Sequence, residues 1–210
     1  MNTMKTHTIH TTTRRALLAA ATLALATASH AAIVITFQQV GANVLETGSG
    51  SANLAALGFT SNGSYLGTVQ PSGGSNQAIV GLSVGSPISN FNGVTGPAGF
   101  GTGTTLVAAS SGAGATFGIN SPFLVVPQGY ISGTLLSGSS TFNGQTFASL
   151  GITPGTYLYT WGAGPTADSL TVQAIAAPVP EPGSALAGML ALGACASGLF
   201  RRNRQGAVRA

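Results

Sequence analysis

The chain has 210 residues, of which 31 are glycine and only 5% are charged, against about 25% in an ordinary soluble domain. Its formal charge of +4 comes from the ends, with Lys5, Arg14 and Arg15 before residue 32 and Arg201, Arg202, Arg204 and Arg209 after residue 200. Between Ala32 and Val179 there is no Lys, Arg or His, and the acids are Glu46 and Asp168, so this stretch cannot neutralise a row of phosphates and nucleic acid is excluded as its partner.

Residues 1–15 are polar and end in Arg14-Arg15, and an apolar run from Ala16 to Thr27 follows. Small residues at Ser29 and Ala31 then occupy the −3 and −1 positions of a cleavage site. A charged start, a short apolar run and a small-residue exit are the layout of a secretory signal peptide over residues 1–31. The run is too short for a stable membrane span. Thr13-Arg14-Arg15-Ala16-Leu17-Leu18 also resembles a twin-arginine signal, which implies export of a prefolded protein, so two export routes stay open.

Residues 32–176 read as the folded body, with a hydrophobic period near two. Ile33-Val34-Ile35-Thr36-Phe37 predicts a strand with Ile33, Ile35 and Phe37 on one face. Asn62-Gly63, Asn92-Gly93 and Asn143-Gly144 are dipeptides that suit hairpin turns, because both residues accept positive φ. Thr104 to Val107, Pro122 to Val126 and Tyr130 to Gly133 have strand character. The clearest hairpin joins Thr156–Trp161 to Asp168–Ile175, with Leu170 and Val172 facing one way and Thr171 and Gln173 the other. No stretch of ten residues carries a helical pattern free of glycine. The expectation is a single all-β domain, an antiparallel sandwich or jelly-roll-like fold.

Catalytic groups are scarce in this body. Gly81-Leu82-Ser83-Val84-Gly85 fits the nucleophile-elbow pattern, but that serine needs a histidine base, and His7, His10 and His30 all lie in the signal. Glu46 and Asp168 are the candidates for a paired-acid site, with no further charged residue to tune or orient them. Two isolated acids are also too few for a calcium site. The single cysteine, Cys195, allows neither an internal disulfide nor a thiolate metal site. The expectation is therefore no enzyme, no cofactor and no metal. Tyr157, Tyr159 and Trp161 alternate along one strand face. Buried, they are core; exposed, they would form a platform on which sugar rings stack, which makes a carbohydrate-binding module the alternative function. The rest of the surface is Ser, Thr, Asn, Gln and Gly, suited to hydrogen bonding with polysaccharide or with copies of itself.

Ala177 to Pro182 is an extended Pro-rich linker. Residues 183–200 are uncharged and apolar, long enough as a helix to span a hydrocarbon core, at about 1.5 Å per residue. Arg201, Arg202 and Arg204 follow in the basic tail, residues 201–210, and stay cytoplasmic by the positive-inside rule. Cys195 falls within the apolar run, where Leu192-Gly193-Ala194-Cys195 has the order of a lipobox at the wrong end of the chain. Pro180-Glu181-Pro182, the apolar helix and the arginine cluster, in that order, resemble the PEP-CTERM sorting signal of exosortase substrates. The resemblance implies processing near the motif by an exosortase, a membrane-embedded cysteine transpeptidase. It further implies a single-pass inner-membrane intermediate, then the cell surface or the extracellular matrix, in bacteria that make exopolysaccharide. Thr146 to Tyr157, with Tyr159 to Gly162 and Ala167 to Leu170, is similar to the final strands of PEP-CTERM proteins whose bodies have no assigned activity. The function expected is a non-catalytic surface or matrix protein associated with exopolysaccharide or biofilm.

Overall fold

A computed structural model describes residues 32–176. The chain divides after Ile175 into two units, and both sheets described here belong to the first.

The strands in chain order are β1 (Ala32–Val40), β2 (Asn43–Gly50), β3 (Gly58–Tyr65), β4 (Thr68–Gln70), β5 (Gln77–Val80), β6 (Ser86–Asn92) and β7 (Val107–Ala108). They continue with β8 (Ser111–Gly114), β9 (Phe117–Asn120), β10 (Phe123–Pro127), β11 (Leu136–Phe142), β12 (Gly155–Trp161) and β13 (Asp168–Ile175). Among the described residues, helix is limited to α1 (Phe147–Leu150) and a 3-10 turn at Gly164–Thr166. Thr146 caps α1, and Gly151 ends it in the left-handed region at φ 69°.

Six strands pair in the order β12-β13-β1-β2-β11-β8, and seven in the order β3-β6-β10-β9-β5-β4-β7. The described residues are therefore mostly β, built on two antiparallel-rich sheets with almost no helix. One ladder departs from the antiparallel expectation: β1 and β13 run parallel, Ala32 beside Ser169 and Gln38 beside Ile175. Ile33, Ile35 and Phe37 are fully buried, as the period of two predicts, and so are Leu170 and Val172. They share one core with Val80, Phe117, Ile119 and Leu124 of the seven-stranded sheet. A smaller cluster, Ile79, Ile88 and Val125 with Tyr65 against it, lies on the opposite face of that second sheet.

Several expected elements are placed differently. Asn62-Gly63 lies inside β3, where Asn62 Oδ1 accepts a 2.7 Å bond from Ser89 Oγ and Gly63 takes no positive φ. Gly93 and Gly144 do take positive φ, yet they end β6 and β11 without joining paired strands. Only Val107 of the Thr104–Val107 stretch enters a strand. Tyr130 to Gly133 is a turn rather than a strand. Its tyrosine hydroxyl is committed to the chain, accepting from Ala52 N–H at 2.8 Å and donating to Thr134 O at 2.7 Å.

Candidate functional site

The aromatic stripe is core. Tyr159 is fully buried, Trp161 is 3% exposed, and Tyr157 packs half-buried against the same cluster. Trp161 Nε1 donates to Asn53 O at 2.8 Å, while Asp168, its register partner on β13, accepts from Asn53 N–H through Oδ2 at 2.6 Å. The pair thus grips one residue of the β2–β3 connection by both of its backbone groups. Tyr157 Oη donates to Thr153 O at 2.9 Å, and its ring meets Phe100 edge-on at 6.1 Å. Burial pushes the Tyr159 hydroxyl up to about 12, with the neighbouring Tyr157 adding to the shift. Sugar stacking on Tyr157, Tyr159 and Trp161 is thereby corrected. The stripe faces inward because Thr156, Leu158 and Thr160 take the solvent side of β12.

The two acids are far apart and differently used. Asp168 also accepts from Ser169 N–H at 2.7 Å, so it caps the start of β13. Glu46 sits opposite Phe37, which pairs with Ala174, six residues along β13 from Asp168. That offset alone is roughly 20 Å at about 3.3 Å per residue, beyond the spacing of about 5–9.5 Å of glycosidase acid pairs.

Glu46 points inward from β2 and is fully buried, with neither carboxylate oxygen hydrogen-bonded. Its cross-strand neighbour Ser140 directs its own hydroxyl to Gly81 O at 3.1 Å and accepts from Gly81 N at 2.9 Å. Burial raises the Glu46 carboxyl well above the usual carboxylate range, and the proximity of Ser140 offsets only part of the rise. Ser83 is half-buried in the bend between the antiparallel-sheet strands β5 and β6, with no helix after it. Among the described residues no three His, Cys, Asp or Glu side chains gather as metal ligands.

A surface groove lies elsewhere, on the outer face of the six-stranded sheet. It measures about 480 Å³ and crosses β1, β2, β11 and β8. Thr36, Thr47, Ser49, Ser137 and Ser139 line it with hydroxyls, and Val34 and Ala113 supply methyl groups. The backbone of Gly48, Gly114 and Gly138 completes the lining. These three glycines sit side by side across β2, β11 and β8. A Cβ on Gly48 would lie 2.6 Å from Val80 Cγ1 and 2.9 Å from Phe117 Cζ, so the second sheet presses against bare backbone there. Small residues on the inner side let the two sheets approach closely there, and the groove lies on the opposite face. None of the lining residues stood out as a site in the sequence. The signal was there in outline, as Gly alternates with Thr, Ser or Ala in 47–50, 111–114 and 137–139.

The sorting residues Pro180, Glu181 and Pro182, the apolar run 183–200, Arg201, Arg202 and Arg204, and the signal 1–31 all lie outside the described residues. Among the described residues no helix is long and apolar enough to cross a membrane. Compared with protein-family models, curated proteins and solved structures, the chain matches none.

Proposed function

We propose that this is an exported, non-catalytic component of a bacterial surface or extracellular matrix, a β-sandwich body carried between an N-terminal signal helix and an exosortase-processed C-terminal membrane helix. The observation that carries the reading is the ordered trio of Pro180-Glu181-Pro182, an uncharged run over residues 183–200 and the Arg201, Arg202, Arg204 cluster. The body supports it in two ways. Its side chains supply no His, Lys or Cys for acid-base or nucleophilic work, and its two acids are kept apart. Its surface is almost free of charge, and an uncharged surface favours association with polymers or with other copies.

Replacing Pro180, Glu181 and Pro182 together with alanine tests the sorting step in a host that carries an exosortase. The wild-type chain should be recovered cut and outside the inner membrane, and the triple variant uncut and in the membrane fraction. Identical processing of the two would leave an ordinary C-terminal anchor and end the sorting reading.

A further inference from the structure

We propose that the groove on the outer face of the six-stranded sheet binds an uncharged polysaccharide chain, hydrogen-bonded by Thr36, Thr47, Ser49, Ser137 and Ser139. The assignment deepens the matrix reading and rests on it, since that reading puts the protein among such polymers.

Three properties of the groove select the occupant. The first is its hydrogen-bonding chemistry. Each lining hydroxyl both donates and accepts, and so does each hydroxyl of a sugar, so the two can pair in either sense without charge. An apolar ligand would strip water from these hydroxyls and return no hydrogen bond. The second is charge. The described residues hold no Lys, Arg or His, so an acidic polymer would find no counter-charge in the groove or beside it. The third is repetition. Ser139, Thr47 and Thr36 stand in register across β11, β2 and β1, and Ser137, Ser49 and Val34 form the next row. Neighbours in a row are about 4.8 Å apart, the spacing of strands, which offers a linear polymer a line of repeated contacts.

Shape separates this occupant from a second copy of the protein. An isologous contact would set the same concave face against itself, leaving a void where close packing is needed. A single extended chain fits a groove instead. Hydroxyl contacts of this kind give modest affinity per site, and retention on a long polymer comes from many copies engaging it.

The test is affinity electrophoresis of the full chain in mild detergent, through gels containing dextran, hydroxyethylcellulose or galactomannan, with alginate as the acidic comparison. At least one neutral polymer should retard the protein, and alginate should not. Thr47→Val with Ser139→Ala removes two hydroxyls at nearly constant shape and should weaken retardation about tenfold, the loss expected for two hydrogen bonds. Ser64→Ala on the exposed strand of the other sheet should leave it unchanged. Near-identical unfolding midpoints for all three proteins would show the effect to be local. The assignment is overturned if no neutral polymer retards the chain, if alginate retards it more strongly, or if the double variant binds as the wild type does. It is equally overturned if sedimentation shows that the double variant acts by changing the oligomeric state. Processing in the exosortase host is scored separately. Normal cutting without polymer binding sinks this assignment alone, whereas an uncut wild-type chain sinks the sorting reading.

Discussion

The two halves of the six-stranded sheet bury their inner faces by opposite means. On the β12–β13–β1 side, Tyr159, Trp161, Leu170, Val172, Ile33, Ile35 and Phe37 fill the space to the second sheet with side chains. On the β2–β11–β8 side, Val44, Leu136 and Phe142 bury side chains at the strand ends, whereas the middle carries Gly48, Gly112, Gly138, Ser140 and Glu46 and is closed by Val80, Phe117 and the backbone of Gly81 and Ala115 pressing close. A Cβ on Gly112 would collide with the backbone oxygen of Gly81, so here the partner is main chain. The first half is filled by side chains throughout, and the middle of the second is closed by the near approach of the other sheet. The first half should lose stability when side chains shrink, and the glycine-lined middle of the second when they grow.

Trp161→Ala carries the largest expected effect. It removes a side chain that is 3% exposed together with its bond to Asn53 O, and large aromatic truncations in cores cost about 3–5 kcal/mol. Denaturant unfolding of the full chain measures it. A loss below about 1 kcal/mol would mean that this half is not held by its aromatic side chains.

Gly48→Ala probes the other half. The new methyl group must displace Val80 and Phe117, and overpacking of this kind costs about 1–3 kcal/mol. If the variant matches or exceeds wild-type stability, the close approach of the sheets is not what shapes this side. Small-to-large and large-to-small changes would then have the same meaning everywhere in the sheet.

The effect that depends on conditions belongs to Glu46, and it vanishes near pH 4. Its folded-state pKa is raised, so the folded protein holds a proton that the unfolded chain releases above about pH 4.3. Stability is therefore full below that pH and falls as pH rises towards the folded-state value, by at most about 1.4 kcal/mol per pH unit. Glu46→Gln keeps the shape without the charge. It should flatten this decline and leave the variant the more stable protein at pH 8, with little difference at pH 4. Parallel pH profiles for the two proteins would place the carboxyl in contact with water rather than in the core.

The same contrast explains what the sequence made legible. Alternation of large apolar and polar residues in Ile33–Phe37 and Thr156–Ile175 located β1 and the β12–β13 hairpin, because side chains do the packing there. Glu46-Thr47-Gly48-Ser49-Gly50 alternates just as strictly, but its inward residues are an acid and two glycines, so it offers no hydrophobic period to read. The groove followed the same rule, since hydroxyls, methyl groups and bare glycine backbone line it without a hydrophobic period. Turn dipeptides were read locally, and Asn62-Gly63 was overridden by a ladder with β6 that neither residue announces. The aromatic stripe left core and platform both open until the burial of Trp161 decided between them.

The parallel ladder between β1 and β13 gives the body a mechanical character. Because the two strands run the same way, the body is entered at Ala32, beside Ser169, and left beyond Ile175, beside Gln38 at the far end. A pull on the two ends of residues 32–176 therefore slides β1 along β13, loading the hydrogen bonds of that ladder together. Had the strands been antiparallel, both ends would have emerged on one side and the bonds would have opened singly, as a zip does. A domain tied at one end and dragged at the other would resist as a lap joint under shear, strong along the direction in which it is stretched.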